Sequence, residues 1–335
     1  MRKVITSRTI LAMLLVALIQ TVVIAALEAM IAYFFFSTVK DPFDGQDTDK
    51  GIPIYLILFV VAQLFLLGMV WDTVRHRNSI QLIGVVVFDL CILSYSIFQY
   101  FQITNLESGD TDATVQDGDY ATRFATMKEN MRPFLVAIPC IVGGAFLIYL
   151  YLGVRLHRDF GWDIFKQIGA NASIRRMYRA YHVFVLLIKL DVFFFLGYSI
   201  QFIILVLRTT VVELWLTVAA VPITLVILLL AVYAVRFESR PTMMLFMFGL
   251  LLTMVYFIYR LVRIYDSSQV QRYANTSKFL TFFAAVSLLV SVCTFLQAII
   301  CYRNFGRGLK DHLQGKEDEK VEYNNYPPAR MTLDD

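Results

Sequence analysis

The sequence predicts an all-α, polytopic membrane protein, and two observations lead to this fold class. First, 58% of its 335 residues are hydrophobic and only 17% are charged, whereas about 25% of a soluble domain is charged. Second, the apolar residues form continuous runs of 20 residues or more, which is the length that a helix needs to cross a hydrocarbon core about 30 Å thick. This composition excludes a soluble fold and a disordered chain, and the continuity of the runs excludes a closed barrel of alternating strands.

Eight runs meet the length requirement. In chain order, the predicted spans are residues 10–36, 52–74, 80–103, 133–154, 182–207, 212–235, 242–261 and 279–301. The first run is too long for a cleaved signal peptide and lacks a small-residue cleavage site, so we expect a retained helix. Pro139 and Pro222 are expected to kink the fourth and sixth spans. The predicted bundle therefore occupies residues 1–301.

The distribution of Lys and Arg predicts the orientation of this bundle. With eight spans, both termini lie on one side, and that side carries 19 Lys and Arg residues against 10 in the opposite loops. Because cytosolic loops are enriched in cations, we expect both termini in the cytosol. The cations are spread over short loops and do not form one basic domain, so nucleic acid is not an expected partner.

Four ionisable residues fall well inside the predicted spans, namely Glu28, Asp89, Lys189 and Asp191. Such residues are costly in lipid and need a partner or a function. Counted from the cytosolic ends of their spans, Asp89 and Lys189 differ in depth by only about 3 Å, which is compatible with an ion pair between them. Asp191 lies on another face of the fifth span from Lys189 and needs a different partner.

Five glutamines, Gln20, Gln63, Gln99, Gln201 and Gln297, add to this polarity inside the bundle. One interpretation is a polar cavity or proton-coupled path among the first, third and fifth spans, with Gln201 as one of its groups. The other is a set of interhelical hydrogen bonds that hold the bundle together. We favour the second interpretation, and the first stays open.

The longest predicted cytosolic loop, residues 155–181, has an amphipathic part followed by a basic part. Trp162, Phe165 and Ile168 are three residues apart, which predicts a short helix before Gly169. Arg175, Arg176 and Arg179 follow it. With Trp162, these arginines could contact anionic lipid headgroups, or they could simply flank the fifth span. The tail, residues 302–335, has mixed charge and is predicted to be disordered and cytosolic.

Chemistry-bearing motifs are missing from the sequence. It contains no phosphate-binding loop, nucleophile elbow, dinucleotide fingerprint or H-E-x-x-H pair. The four cysteines fall in predicted spans and the four histidines lack metal-ligand spacing, so we expect no catalytic residue, no metal and no cofactor. Internal repeats are also not predicted, since residues 158–161 resemble 303–306 at one offset and residues 89–99 resemble 191–201 at another.

Two segments carry a family resemblance. The runs GWDIFKQIGANASIRRMYRAYHVF at 161–184 and KLDVFFFLGYSIQF at 189–202 resemble a fungal family of uncharacterised Golgi apparatus multi-pass membrane proteins. The resemblance implies a place in the Golgi membrane and a multi-span topology, but no established activity and no catalytic residues.

Three functional hypotheses follow. The first is a non-enzymatic Golgi or endomembrane protein whose basic loop contacts lipid or trafficking partners. The second is a small-solute or proton-coupled transporter that uses Asp89, Lys189 and Asp191. The third is a receptor-like membrane sensor.

Overall fold

The computed structural model describes residues 2–38, 51–104, 118–168, 172–205, 211–265 and 277–306, and these ranges form eight helices without a strand. The helices are α1 (Arg2–Thr38), α2 (Gly51–His76), α3 (Ser79–Thr104), α4 (Gly118–Ile168), α5 (Ala172–Leu205), α6 (Val211–Arg236), α7 (Arg240–Ile264) and α8 (Ser277–Asn304). Each contains one predicted span, which confirms the all-α, multi-span fold.

Seven of these helices are long and apolar enough to cross a membrane. The exception is α6. The structure describes its side chains continuously only over Val226–Arg236, and this apolar segment is too short to cross a membrane. The helical backbone of α6 nevertheless has 26 residues, about 39 Å at the rise of an α-helix, which exceeds the thickness of a hydrocarbon core.

Helix α4 corrects the predicted loops on both of its sides. It runs without interruption for 51 residues and contains both Pro133 and Pro139. Residues 118–132, which lie between the third and fourth predicted spans, are continuous with the fourth span. So are residues 155–168, which we expected in a cytosolic loop with a short separate helix before Gly169. The segment 39–50 between the first two helices and the tail beyond residue 306 lie outside the described residues.

Two short turns bring consecutive helices into antiparallel contact. In the turn between α2 and α3, Arg77 has a φ of 47°, and the Asn78 side chain accepts a 2.9 Å hydrogen bond from the backbone N–H of Ile80. This bond satisfies one of the open N–H groups at the start of α3. The turn between α6 and α7 has a similar left-handed residue, Glu238, with a φ of 52°.

The eight helices form two rings of four. In the first ring, α1 contacts α2, α2 contacts α3, α3 contacts α4, and α4 returns to α1. In the second ring, α5, α6, α7 and α8 follow each other in the same order, and α8 returns to α5. The rings meet where α5 packs against α2 and α3. The chain thus has a four-plus-four architecture, which matches the offset between residues 158–161 and 303–306.

Aromatic side chains fill the junction between the rings. The Phe193 ring of α5 lies 4.8 Å from Phe65 of α2 and 4.9 Å from Phe88 of α3, measured between ring centroids. Large apolar side chains on the outside are exposed, as Ile19 and Leu147 illustrate. A surface of this kind is suited to lipid, where an exposed apolar side chain loses nothing.

Candidate functional site

Two hydrogen-bonded pairs join α1 to α3 inside the first ring. Gln99 Nε2 donates to both carboxylate oxygens of Glu28 at 3.1 Å. Gln20 Nε2 donates to Asp89 Oδ1 at 2.9 Å. All four side chains are buried. These pairs are the interhelical hydrogen bonds that the sequence favoured, with glutamine amides as the donors.

The expected ion pair between Asp89 and Lys189 is wrong. Lys189 Nζ of α5 instead lies 2.5 Å from Asp72 Oδ2 in the last turns of α2. His76 Nδ1 also lies 2.9 Å from Asp72 Oδ1. A lysine side chain is long enough to carry its ammonium group away from the bilayer centre towards the boundary. Lys189 therefore links the two rings near one membrane face.

Asp191 has hydroxyl partners on α8. Ser291 Oγ donates to Asp191 Oδ1 at 3.1 Å, and the Thr294 hydroxyl donates a short hydrogen bond to Asp191 Oδ2. The Asp191 side chain is buried. Both donors are neutral, so the described part of the chain gives this carboxylate no cationic partner.

A cavity of about 20 Å³ lies beside Asp191 in the second ring. Every helix of that ring supplies at least one of its polar groups, which are Asp191 from α5, Thr224 from α6, Thr253 from α7 and both Ser287 and Ser291 from α8. The Ser287 hydroxyl is buried and has no hydrogen-bond partner among the described residues. A space of this size holds about one water-sized group. Because polar side chains from four facing helices surround it, the cavity has the make-up of a site for a small ion.

The cavity walls are apolar. Phe195, Phe246 and Phe257 line it, and each is buried; the aliphatic lining residues are Ile227, Leu228 and Leu250. Carboxylates attract cations through their charge, and aromatic rings can add to this attraction through their quadrupole. The lining therefore suits a cation better than an anion.

Other predicted residues are not brought together in this cavity. Gln201 is fully buried, and neither end of its amide has a hydrogen-bond partner among the described residues. A second cavity of about 20 Å³, between α2, α3, α5 and α8, is lined mainly by apolar and aromatic residues such as Phe59, Phe194 and Phe283. Among the described residues, no group of three or more His, Cys, Asp and Glu side chains could hold a metal ion.

The basic residues of the predicted loop lie in the first turns of α5. Arg176 and Arg179 are exposed there, and Arg175 is partly buried. Trp162 lies in the last part of α4, where the structure describes the helical backbone but not this side chain. The short surface helix expected around Trp162 is therefore the end of a long membrane helix, and the arginines belong to the next one.

Sequence reasoning missed several of these groups. Asp72 was overlooked because it lies among the basic residues that end the second span. The hydroxyls of Thr224, Thr253 and Thr294 give no signal in sequence, since threonine is common in membrane helices. A search for a partner for Lys189 at the span ends would have found Asp72.

One curated relative supports the resemblance that the sequence suggested. A UPF0658 Golgi apparatus membrane protein of Schizosaccharomyces pombe is 29% identical to this chain over 276 residues, which cover 78% of each protein. No family model matches the chain, and no solved structure matches it. The expected resemblance to a fungal family of uncharacterised Golgi membrane proteins is confirmed, as is the placement in the Golgi apparatus membrane as a multi-pass protein.

Proposed function

We propose that this multi-pass Golgi membrane protein is a non-enzymatic transporter that binds a small cation, of about the size of an ammonium ion, beside Asp191. The observation that carries the proposal is the buried Asp191 carboxylate, which has only neutral partners among the described residues and borders a cavity of about 20 Å³ lined by three phenylalanines. A bound ammonium group would neutralise the carboxylate, and the aromatic faces would add attraction.

The depth of Asp191 supports a transport role. It lies nine residues from His182, where the fifth predicted span begins, which is about 14 Å at the helical rise. Half of a hydrocarbon core is about 15 Å, so we infer that Asp191 is close to the bilayer midplane. Substrate sites of secondary transporters lie near the midplane, because each side of the membrane must reach them in turn.

The test is ligand-induced stabilisation of the purified full-length protein, followed by uptake into proteoliposomes. Ammonium and methylammonium are the probes, and acetate and glucose provide an anionic and a neutral comparison. We expect the two cations to raise the melting temperature, because a ligand at about 100 times its dissociation constant stabilises by roughly 2.7 kcal/mol. Proteoliposomes should take up the stabilising cation.

Asp191→Asn should abolish both the stabilisation and the uptake. The matched control is Glu28→Gln, a buried carboxylate of the first ring that does not line the cavity. If Asp191→Asn does not fold, Thr224→Val and Thr253→Val keep the carboxylate and should weaken binding several-fold. Equal responses to all four solutes, or an unchanged response in all three cavity variants, would contradict the proposal.

A second candidate function rests on the exposed Arg176 and Arg179. Near an anionic membrane surface, each cation contributes about 1 kcal/mol of attraction. We propose that these arginines contact anionic headgroups. In nanodiscs, phosphatidylserine should then raise the melting temperature relative to phosphatidylcholine alone.

Replacing both arginines by Gln should remove the phosphatidylserine effect. Arg263→Gln is the control, since Arg263 lies at the far end of α7 and is expected on the opposite side of the membrane. If phosphatidylserine has the same effect on both variants, the headgroup contact is not made by Arg176 and Arg179.

A further inference from the structure

The first ring contains a second polar site, built from one side chain of each helix. Gln20 of α1, Gln63 of α2, Asp89 of α3 and Tyr149 of α4 are all at most 2% exposed. In helical bundles, ligand and ion sites are built in this way, from side chains that project inward from facing helices.

Contacts between α1, α2 and α3 place three of these residues at one level. Gln20 Nε2 donates to Asp89 Oδ1 at 2.9 Å, and the neighbouring Thr21 hydroxyl donates to the backbone carbonyl of Gln63 at 3.4 Å. Gln20 and Thr21 are consecutive in α1. The contacts of α1 with Asp89 and with Gln63 are therefore at nearly the same height along the helix.

The register between α2 and α3 agrees with this level. Phe65 packs on Phe88, with ring centroids 5.0 Å apart, and Phe59 stacks on Tyr95 at 5.3 Å. Antiparallel helices keep this register between the two contacts, so the segment of α2 that holds Gln63 faces the segment of α3 that begins at Asp89.

Contacts with α4 add Tyr149 to the same level. A Cβ atom at Gly153 would lie 3.6 Å from Val86 Cγ2, and one at Gly143 would lie 3.7 Å from Leu93 Cδ1. Tyr149 lies between these two glycines, opposite the part of α3 that contains Asp89.

These four residues have open hydrogen-bonding capacity. Within the part of the chain that the structure describes, five buried atoms have no hydrogen-bond partner: Asp89 Oδ2, Gln20 Oε1, the Tyr149 hydroxyl oxygen and both ends of the Gln63 amide. Buried polar atoms are almost always paired with protein, water or an ion, so a group of five at one level points to a ligand. Four of the five are oxygen atoms.

We propose that the first ring binds one alkali metal cation through the oxygens of Gln20, Gln63, Asp89 and Tyr149. Carbonyl, carboxylate and hydroxyl oxygens suit hard cations. The site has one carboxylate, so a monovalent ion makes it neutral, whereas a divalent ion would leave a net charge in the bundle interior. This site is separate from the cavity at Asp191 and does not depend on its ligand.

The experiment measures binding of ²²Na⁺ to the purified full-length protein by scintillation proximity. Unlabelled NaCl should displace the label with saturation, KCl should reveal the preference between the two alkali ions, and N-methyl-D-glucamine chloride at equal ionic strength should not displace it. Asp89→Asn should lower the affinity for Na⁺ at least tenfold. Tyr149→Phe and Gln63→Leu retain the carboxylate, and each should lower it several-fold.

Glu28→Gln and Asp191→Asn are the matched controls, because they remove a buried carboxylate at another level and in the other ring. Both should bind Na⁺ as the wild-type protein does. The proposal is overturned if no saturable binding of Na⁺ occurs, which would leave water as the occupant. It is equally overturned if folded Tyr149→Phe and Gln63→Leu proteins bind Na⁺ with unchanged affinity. Loss of Na⁺ binding in Asp191→Asn alone would assign the ion to the second ring.

Discussion

Among the described residues, three buried carboxylates of the bundle interior accept hydrogen bonds from neutral donors on another helix. Glu28 and Asp89 accept from glutamine amides, and Asp191 accepts from two hydroxyls. Neutral donors orient a carboxylate without cancelling its charge, and an uncancelled charge is costly in a low-dielectric interior. These residues are consequently the places where a cationic ligand gains most from entering the bundle.

The Lys189–Asp72 ion pair leads to a prediction at the residue scale. Either Lys189→Met or Asp72→Asn leaves one charge unpaired, so each should lower the melting temperature. The loss of stability in the double variant should be smaller than the sum of the two single losses, by a coupling energy of about 1 kcal/mol. Thermal unfolding in detergent of the wild type, the two single variants and the double variant measures this coupling energy.

Its control is the cycle of Lys189→Met with Asp89→Asn, which should be additive because these two residues are not paired. Additive losses at Lys189 and Asp72 would mean that the 2.5 Å contact contributes nothing to stability. His76 also contacts Asp72, so some of the charge of Asp72 remains compensated in Lys189→Met.

Sequence alone identified the buried ionisable residues but not their partners. Hydropathy gives the depth of Asp89 and Lys189 in their spans, and the two depths agree to about 3 Å. Depth does not give the rotation of each helix about its axis, which decides the side chains that face each other. Because lysine is long, Lys189 also reaches a partner nearer the boundary, and that partner is Asp72 rather than Asp89.

At the scale of elements, an apolar run predicted each of the eight described helices, seven of which are long and apolar enough to cross a membrane. The helices nevertheless extend beyond these runs. Hydropathy detects the part of a helix that lies in lipid, whereas α4 continues into polar sequence at both ends. Residues 121–132 are rich in Ala, Met, Lys, Glu and Arg, which all favour helix. Helix propensity, used beside hydropathy, would have indicated this extension.

Glycine positions provide a prediction about helix contacts. An added Cβ atom at Gly197 of α5 would lie 2.6 Å from the ring atom Cε1 of Phe283 on α8. That ring is packed against Phe194, Tyr95 and Phe282 and has little room to move. Gly197→Ala should therefore destabilise the bundle by about 1–3 kcal/mol, the usual cost of overpacking.

Gly68→Ala on α2 is the matched control, because nothing lies within 4 Å of the position where its Cβ would be. Alanine favours helix over glycine by roughly 0.5–1 kcal/mol, so this variant should be as stable as wild type or slightly more stable. Thermal unfolding of both variants compares them. A Gly197→Ala protein as stable as Gly68→Ala would show that the contact between α5 and α8 is looser than the structure indicates.

At the scale of the whole molecule, the helices follow each other in the same order in both rings. The buried carboxylates Asp89 and Asp191, however, lie on helices that do not correspond. Asp89 lies on the third helix of its ring, whereas Asp191 lies on the first helix of the other. The sequence similarity between residues 89–99 and 191–201 therefore relates helices that are not equivalent in the two rings. This conflict explains why no internal repeat could be predicted from sequence, although the architecture is four-plus-four.

The orientation of the bundle is the prediction that concerns the molecule as a whole. Eight helices that each cross the membrane place the two ends on one side, and the excess of 19 Lys and Arg residues over 10 predicts that this side is the cytosol. In sealed Golgi vesicles, protease should therefore remove an epitope tag from either terminus without detergent. A tag inserted in residues 39–50 should be cleaved only after detergent is added, since that segment is expected in the lumen. The opposite pattern would invert the topology. It would also move Arg176 and Arg179 to the lumenal surface, which removes the basis for their contact with the anionic cytosolic leaflet.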